Sequence, residues 1–208
     1  VTLSRPQAEW AEKAVADAGL ADRVESRYQD YRDVRDGPFD AISSIGMFEH
    51  VGLSQLRVYF GGLRGLLRPG GRLLNHGISR PPNAGRTRFR RNGFIDRYVF
   101  PDGELHEIGS MVSTIQRSGL EVRHLESLRE HYALTLRAWV RNLESSWDDA
   151  VAEVGSGRAR VWRLYMAASA LNFEAGRTQV HQVLAVRLEG GRSGMPLRPR
   201  FEDRPAQR

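Results

Sequence analysis

The chain has no cysteine among its 208 residues. Disulfides and thiolate metal sites are therefore excluded for it. Lysine is nearly as scarce: Lys13 is the only one among 31 Lys and Arg residues, so all the other basic side chains are arginine. No apolar run reaches the length of a membrane-spanning helix. Helix-turn-helix, zinc-finger and RNA-binding signatures are missing, so nucleic acid is not an expected partner. No internal repeat occurs, which sets solenoid folds aside. What remains is an ordinary globular composition, 40% hydrophobic and 27% charged. That suits one domain, or one domain with an appendage. The net charge of +6 favours an anionic partner. Without nucleic-acid signatures, an anionic membrane surface is the better expectation.

The most informative stretch is Phe39 to Gly52, FDAISSIGMFEHVG. Phe39, Ala41, Ile42 and Ile45 predict a buried strand that breaks at Gly46. Glu49 and His50 then stand just beyond its carboxyl end, where open α/β sheets bind their ligands. Around this stretch the pattern alternates. Val1-Thr2-Leu3 reads as the end of a strand. Ser4 as N-cap and Pro6 in the first turn open a helix with Ala8, Ala11, Val15 and Ala18 on one face, closed by Gly19. Val24 to Gln29 predicts a second strand. Leu56, Tyr59, Phe60, Leu63, Leu66 and Leu67 make a helical stripe. The turn Arg68-Pro69-Gly70-Gly71 precedes a strand over Arg72 to Ile78. Leu105 to Ser118 predicts a helix, and Leu120 to Leu128 a strand. A long helix carries Leu136, Trp139, Val140, Leu143, Trp147 and Val151, and a further one carries Val161, Leu164, Tyr165, Ala168 and Leu171. Thr178 to Leu188 is a closing strand. This alternation predicts a parallel sheet with helices on both faces.

Between Ser79 and Gly103 the periodicity vanishes. Arg80, Arg86, Arg88, Arg90, Arg91 and Arg97 alternate there with Phe89, Phe94, Tyr98 and Phe100. A lid or lipid-facing flap competes with a merely solvated basic loop. The tail over 189–208, rich in Gly, Pro and Arg, is expected to be disordered.

Several short segments occur in register: Val1-Thr2-Leu3-Ser4 with Gln7, Gln29 to Asp33, Gly46 to Gly52, Leu67 to Gly71, Tyr98 to Gly103 and His131 to Leu136. Together they resemble cyclopropane-fatty-acyl-phospholipid synthases and the related mycolic acid cyclopropane synthases. The likeness runs from Val1 to about Arg187. It implies a Rossmann-like class I S-adenosylmethionine-dependent methyltransferase over 1–188, with a flap at 79–103 and a helical, lipid-side insertion at 129–175. In that family the cofactor lies mainly on a glycine-rich loop after the first strand. This sequence has no such strand or loop, so it is expected to be the C-terminal part of a longer enzyme.

The resemblance implies a reaction: the sulfonium methyl of S-adenosylmethionine passes to a cis double bond of a phospholipid acyl chain. A cation forms, and loss of a proton from the new methyl closes a cyclopropane. Bicarbonate is implied as the base, held by residues that map to Glu49, His76, a backbone amide at Ile78, and Tyr132. By itself, His76 reads sooner as a structural histidine at a strand end, and Tyr132 as a helix-start residue packed on the sheet. His50 is read as structural. For the cofactor, the resemblance points to Thr2, Leu3 and Gln7 on the ribose side, Asp30, Tyr31 and Arg32 around the adenine, and Ile45 at the adenine or sulfonium. It also implies unsaturated phospholipid acyl chains as substrate, a cytoplasmic protein peripheral to the inner membrane face, and homodimerisation. The competing readings are a methyl-branched product, a small-molecule N-methyltransferase, and an inactive fragment that serves as a binding module.

Overall fold

The computed structural model describes residues 1–82, 93–101 and 103–198. The chain divides into two compact units, Val1–Pro38 and Phe39–Arg208. In the first unit, helix α1 spans Arg5–Asp17. Ser4 precedes it as N-cap without a side-chain cap bond, and Pro6 sits in its first turn, where a missing N–H costs nothing. The predicted strands of this unit reduce to one parallel bridge, Thr2 to Tyr28. Asp30 caps a single helical turn at Tyr31–Asp33 by accepting the Arg32 N–H.

The second unit is built on one five-stranded sheet. Strand β1 is Phe39–Ile45, β2 Leu67–Arg80, β3 His106–Glu107, β4 Glu121–Ser127 and β5 Gln179–Val186. The order is β1-β2-β5-β4, with the short β3 beside β2. Strand β2 is the spine: it runs parallel to β1 and β3 and antiparallel to β5. Every second residue of β2 from Gly71 to Ser79 is buried, as expected of a strand with one face turned to the core. Helix α2, Leu56–Leu66, buries Leu56, Tyr59, Phe60 and Leu63, the predicted stripe. Helix α4, Ile108–Arg117, buries Met111 and Ile115 and packs on α2 and β4. A second core joins Ala133, Leu136, Met166, Ala170, Phe173 and Val180, from α5 (Arg129–Ser145), α6 (Trp147–Glu174) and β5.

Four expectations need correction. The sheet is mixed, because β5 runs antiparallel to both β2 and β4. Strand β1 is not a buried strand: among the described residues it pairs with β2 alone, and Ser44 is the only residue of the strand that is buried. The long apolar stripe from Leu136 to Val151 crosses a break at Ser146, and α6 bends again at Gly155, whose φ of 79° and ψ of 154° only glycine adopts readily. The loop expected from Ser79 is shorter than its sequence suggests. Ser79 and Arg80 complete β2, Arg80 pairs with Glu107, and Phe94–Tyr98 forms helix α3. The Arg68-Pro69-Gly70-Gly71 turn survives as an irregularity within β2, where pairing jumps from Phe39–Leu67 to Ala41–Arg72.

Arg86, Arg88, Phe89, Arg90 and Arg91 lie outside the described residues, as do 199–208 of the tail. Glu189 and Arg192, at the start of that tail, exchange two backbone hydrogen bonds of 3.0 and 2.9 Å. Among the described residues no helix is long and apolar enough to cross a membrane.

Candidate active site

Parallel pairing of β1 and β2 puts Ile45 opposite His76, and Gly46 N–H donates to the His76 carbonyl. The chain then turns through Gly46, at φ 63°, into the single helical turn Phe48–His50. That turn lowers Glu49 beside the end of β2. Glu49 is 8% exposed, and its Oε1 accepts the Ile78 N–H at 2.7 Å. Its Oε2 is buried with no hydrogen-bond partner. Burial raises the Glu49 carboxyl above its ordinary value, opposed by the Ile78 and Glu49 amides and by His50. Glycine at 77 is what permits this approach, since a Cβ there would lie 1.9 Å from the Phe48 ring and 2.9 Å from Glu49 Oε1.

Glu49, His76, Ile78 and Tyr132 line one cavity of about 230 Å3. Ile45 lines it too, as do Phe100, Leu105, Tyr165, Phe173 and Thr178. His76 Nδ1 lies 3.3 Å from Gln182 Nε2, its cross-strand neighbour on β5. An amide nitrogen can only donate, so Nδ1 accepts and the ring proton resides on Nε2. Burial holds the His76 pKa below its ordinary value, which favours that neutral form. Tyr132 stands edge-on to Phe173, with centroids 4.9 Å apart, and to Trp139 at 6.0 Å. Burial, and secondarily the Glu49 charge, raise its pKa, so the phenol keeps its proton. The Ile78 amide is the exception to the expected arrangement: its N–H serves Glu49 rather than a bound anion.

His50, read from the sequence as structural, packs its ring on Phe100 at 5.8 Å and also lines the cavity. Phe100 also meets Tyr165 and Trp162 edge-on. Tyr165 is a cavity residue that sequence reasoning missed. It was visible only as one member of an apolar helical stripe. Glu104 was missed as well: it is 5% exposed, and its N–H donates to the Glu49 carbonyl at 3.0 Å. No periodic signal marks it.

The residues expected around the cofactor, Ile45 apart, belong to the first unit. Thr2 Oγ1 donates to Gln7 Oε1 at 3.0 Å, while Leu3 is exposed. Arg32 binds the Asp30 carboxylate through Nε and Nη2 and through its own N–H. Those contacts hold the Asp30 pKa down to about 2. Tyr31 stands between them, its pKa raised chiefly by burial.

Burial also pushes His106 and His181 below their ordinary value, as it does His76. Their folded pKa values lie beneath the unfolded one, so the folded state takes up fewer protons as acid is added. The stability they contribute is complete above 6.5, the ordinary value, and is lost as pH falls through their lowered values. Glu49, with its raised pKa, acts oppositely: its contribution declines as pH rises above 4.5. The three histidines therefore pull the melting temperature down from pH 7 to pH 5, against the opposing pull of Glu49. Thermal melts across that range check this, and His181→Asn is expected to flatten the slope. A melting temperature that rises on acidification would contradict it.

A family model described as "Mycolic acid cyclopropane synthetase" matches residues 1–183. A "Probable fatty acid methyltransferase" of Mycobacterium tuberculosis is 53% identical over 199 residues, covering 95% of this chain and 46% of that protein. A protein of the same description from Pseudomonas putida is 46% identical over 189 residues, covering 90% of this chain and 48% of that one. Among solved structures, mycolic acid cyclopropane synthase CmaA1 complexed with SAH and CTAB superposes with a TM-score of 0.76 at 27% identity, over 88% of this chain and 67% of that one. The chain thus spans about half the length of the curated relatives it matches. Its fold is that of class I S-adenosylmethionine-dependent methyltransferases. The chain belongs to the mycolic acid cyclopropane synthetase family of S-adenosylmethionine-dependent methyltransferases.

Proposed function

We propose that this protein methylates the cis double bond of an unsaturated lipid acyl chain and that the product is a cyclopropane fatty acyl chain. The observation that carries this reading is the cavity itself: Glu49, His76 and Tyr132 open into a space walled mainly by aliphatic and aromatic side chains, with His50, Ser169, Asn172 and Thr178 as its other polar members. An alkene is a weak nucleophile, so its methylation needs a dry site that tolerates positive charge and supplies a base. S-adenosylmethionine supplies the methyl from its positively charged sulfur. The alkene π pair bonds to that methyl carbon as the S–CH3 pair returns to sulfur, which leaves a cation on the acyl chain. Loss of a proton from the new methyl lets its C–H pair close the ring.

The side chains provide for each need. Ile78, Leu105 and Phe173 exclude water. Tyr132, Tyr165 and Phe100 offer π faces that stabilise cationic charge. The buried polar atoms Glu49 Oε2 and Thr178 Oγ1 have no partner, so the lining has room for a small polar guest. Bicarbonate fits: when bound it supplies the base. Glu49 and His76 would hold it through Oε2–H and Nε2–H, and Tyr132 through its phenol. Burial raises the Glu49 pKa, which shifts the carboxyl toward the protonated form that can donate to an anion. With Oε1 engaged by Ile78 N–H, a proton taken up by Glu49 would reside on Oε2.

For the cofactor, Thr2 and Gln7 offer hydroxyl and amide groups suited to ribose, beside Leu3. The Tyr31 ring, next to Asp30 and Arg32 in the sequence, suits a purine edge. Ile45, 63% exposed, presents an apolar side chain to the cavity. The net positive charge favours delivery of the chain from an anionic lipid surface.

The names of the two relatives favour one alternative product, a methyl-branched chain formed from the same cation. Incubation with trideuteromethyl-labelled cofactor and monounsaturated phosphatidylethanolamine vesicles tests the reading. The expected result is deuterium in the acyl chains and the upfield proton signals of a cyclopropane. Labelled chains without those signals would assign the branched product. Deuterium in the amine head group would replace lipid-chain chemistry with N-methyl transfer.

A further inference from the structure

The turn that carries Glu49 is held from a distant part of the chain. Gly52, at φ 76°, precedes a second helical turn at Leu53–Gln55 and has no side chain with which to cap it. The Leu53 N–H at its start is an orphan donor of the kind that helix beginnings leave. Glu104 Oε2 accepts it at 3.0 Å across 51 residues of sequence. The Glu104 backbone N–H donates at 3.0 Å to the Glu49 carbonyl. One residue therefore grips the segment at Glu49 and again at Leu53.

The grip is itself buried. Glu104 and His106 are 5% and 2% exposed, with His106 Nε2 3.7 Å from Glu104 Oε2. His106 begins β3 and pairs in register with Ser79 of β2. Its ring lies 6.4 Å from that of Phe48, the residue wedged against Gly77. A carboxyl this deeply buried is destabilising unless its oxygens are used. Here Oε2 is used on the catalytic turn, while the adjoining Leu105 lines the cavity.

We infer that Glu104 is a positioning residue for Glu49: its carboxylate caps the turn after Glu49 and fixes where the Glu49 carboxyl sits. The inference deepens the proposed methyl transfer and takes its catalytic meaning from it. Its physical content, a clasp on residues 48–55, stands apart from activity. Misplacing a catalytic group by about 1 Å can cost roughly 100-fold in rate, so such a clasp has functional weight.

The test compares Glu104→Ala with Glu104→Gln, whose amide oxygen can still accept the Leu53 N–H. Hydrogen exchange read by mass spectrometry should rise roughly tenfold over residues 48–55 in Glu104→Ala. It should remain near wild type in Glu104→Gln, and in β5 of both variants. In the labelled-methyl assay, kcat should fall roughly 10- to 100-fold in Glu104→Ala, with cofactor Kd unchanged and most of the rate restored in Glu104→Gln. Unchanged exchange over 48–55, equal loosening of β5, or a Glu104→Gln variant as impaired as Glu104→Ala would each overturn the inference. If the wild-type protein methylates no acyl chain, the functional reading fails, and the exchange comparison still decides the clasp.

Discussion

Glu49→Gln is expected to lower methyl-transfer turnover by about 100- to 10,000-fold, the range associated with losing a general acid or base. Affinity for the cofactor should change by no more than about twofold. Glutamine has nearly the shape of glutamate, and its oxygen can keep the 2.7 Å bond that Ile78 N–H makes to Oε1. The amide nitrogen, in the place of Oε2, can still donate a hydrogen bond. What the substitution removes is the ability to take up and release a proton, and with it any passage of the substrate's proton from the bound bicarbonate through the Glu49 carboxyl. The variant therefore separates two roles. Full turnover would show that Glu49 is only a donor, and a large loss would show that its titration matters. The pH profile gives a second reading. Burial raises the Glu49 pKa, so the wild type should show a limb of its rate profile above the ordinary 4.5, and that limb should be missing in Glu49→Gln. Stopped-flow or steady-state assays over pH, with calorimetric titration of the cofactor, check both parts. Equal losses in turnover and cofactor affinity would assign Glu49 a structural role instead.

Some of this site was legible in the sequence because local patterns carried it. The FDAISSIGMFEHVG stretch combines a strand period, a glycine exit and two titratable side chains. Its strand, its positive-φ break and its carboxyl all stand where that pattern puts them. The α2 stripe was equally clear, since four of its six apolar positions are buried within the helix and Leu67 is buried as the first residue of β2. What failed to show has physical reasons. Strand direction is not written in composition, so nothing in Thr178 to Leu188 announced that β5 runs against its neighbours. An apolar stripe continues through a change of helix axis, so the break at Ser146 was hidden by Leu143, Trp147 and Val151. Burial at the edge of a sheet depends on what covers it, so β1 looked more enclosed than it is. His106 opens a two-residue strand and Glu104 stands just before it, a stretch too short for any period. Their importance lies in contacts that span half a hundred residues, and single-sequence patterns do not reach that far.

Gly77→Ala is expected to destabilise the protein by about 1–3 kcal/mol, the usual cost of forcing extra atoms into a packed core. It should abolish most methyl transfer as well. The added Cβ would stand 1.9 Å from Phe48 Cε1, 2.6 Å from its Cδ1 and 2.9 Å from Glu49 Oε1. No relaxed structure tolerates the first of these distances, so something must move. The backbone at residue 77 lies in the middle of β2, paired with His181 of β5, and is poorly placed to yield. Phe48 is 2% exposed and stacks near His106, so it cannot swing out into solvent. The remaining outlet is the Phe48–His50 turn, and shifting it withdraws the Glu49 carboxyl from the Ile78 N–H. The glycine is required here for space, with no positive φ to explain it. A second substitution isolates that cause. In a Phe48→Leu background the side chain is shorter, and Gly77→Ala should cost less than it does in the wild type. The coupling between the two positions is expected to be roughly 0.5–3 kcal/mol, typical of residues in direct contact. Urea denaturation of the two single variants and the double variant measures it. Additive costs would show that the alanine methyl finds room away from Phe48, and that the cavity owes its shape to some other constraint.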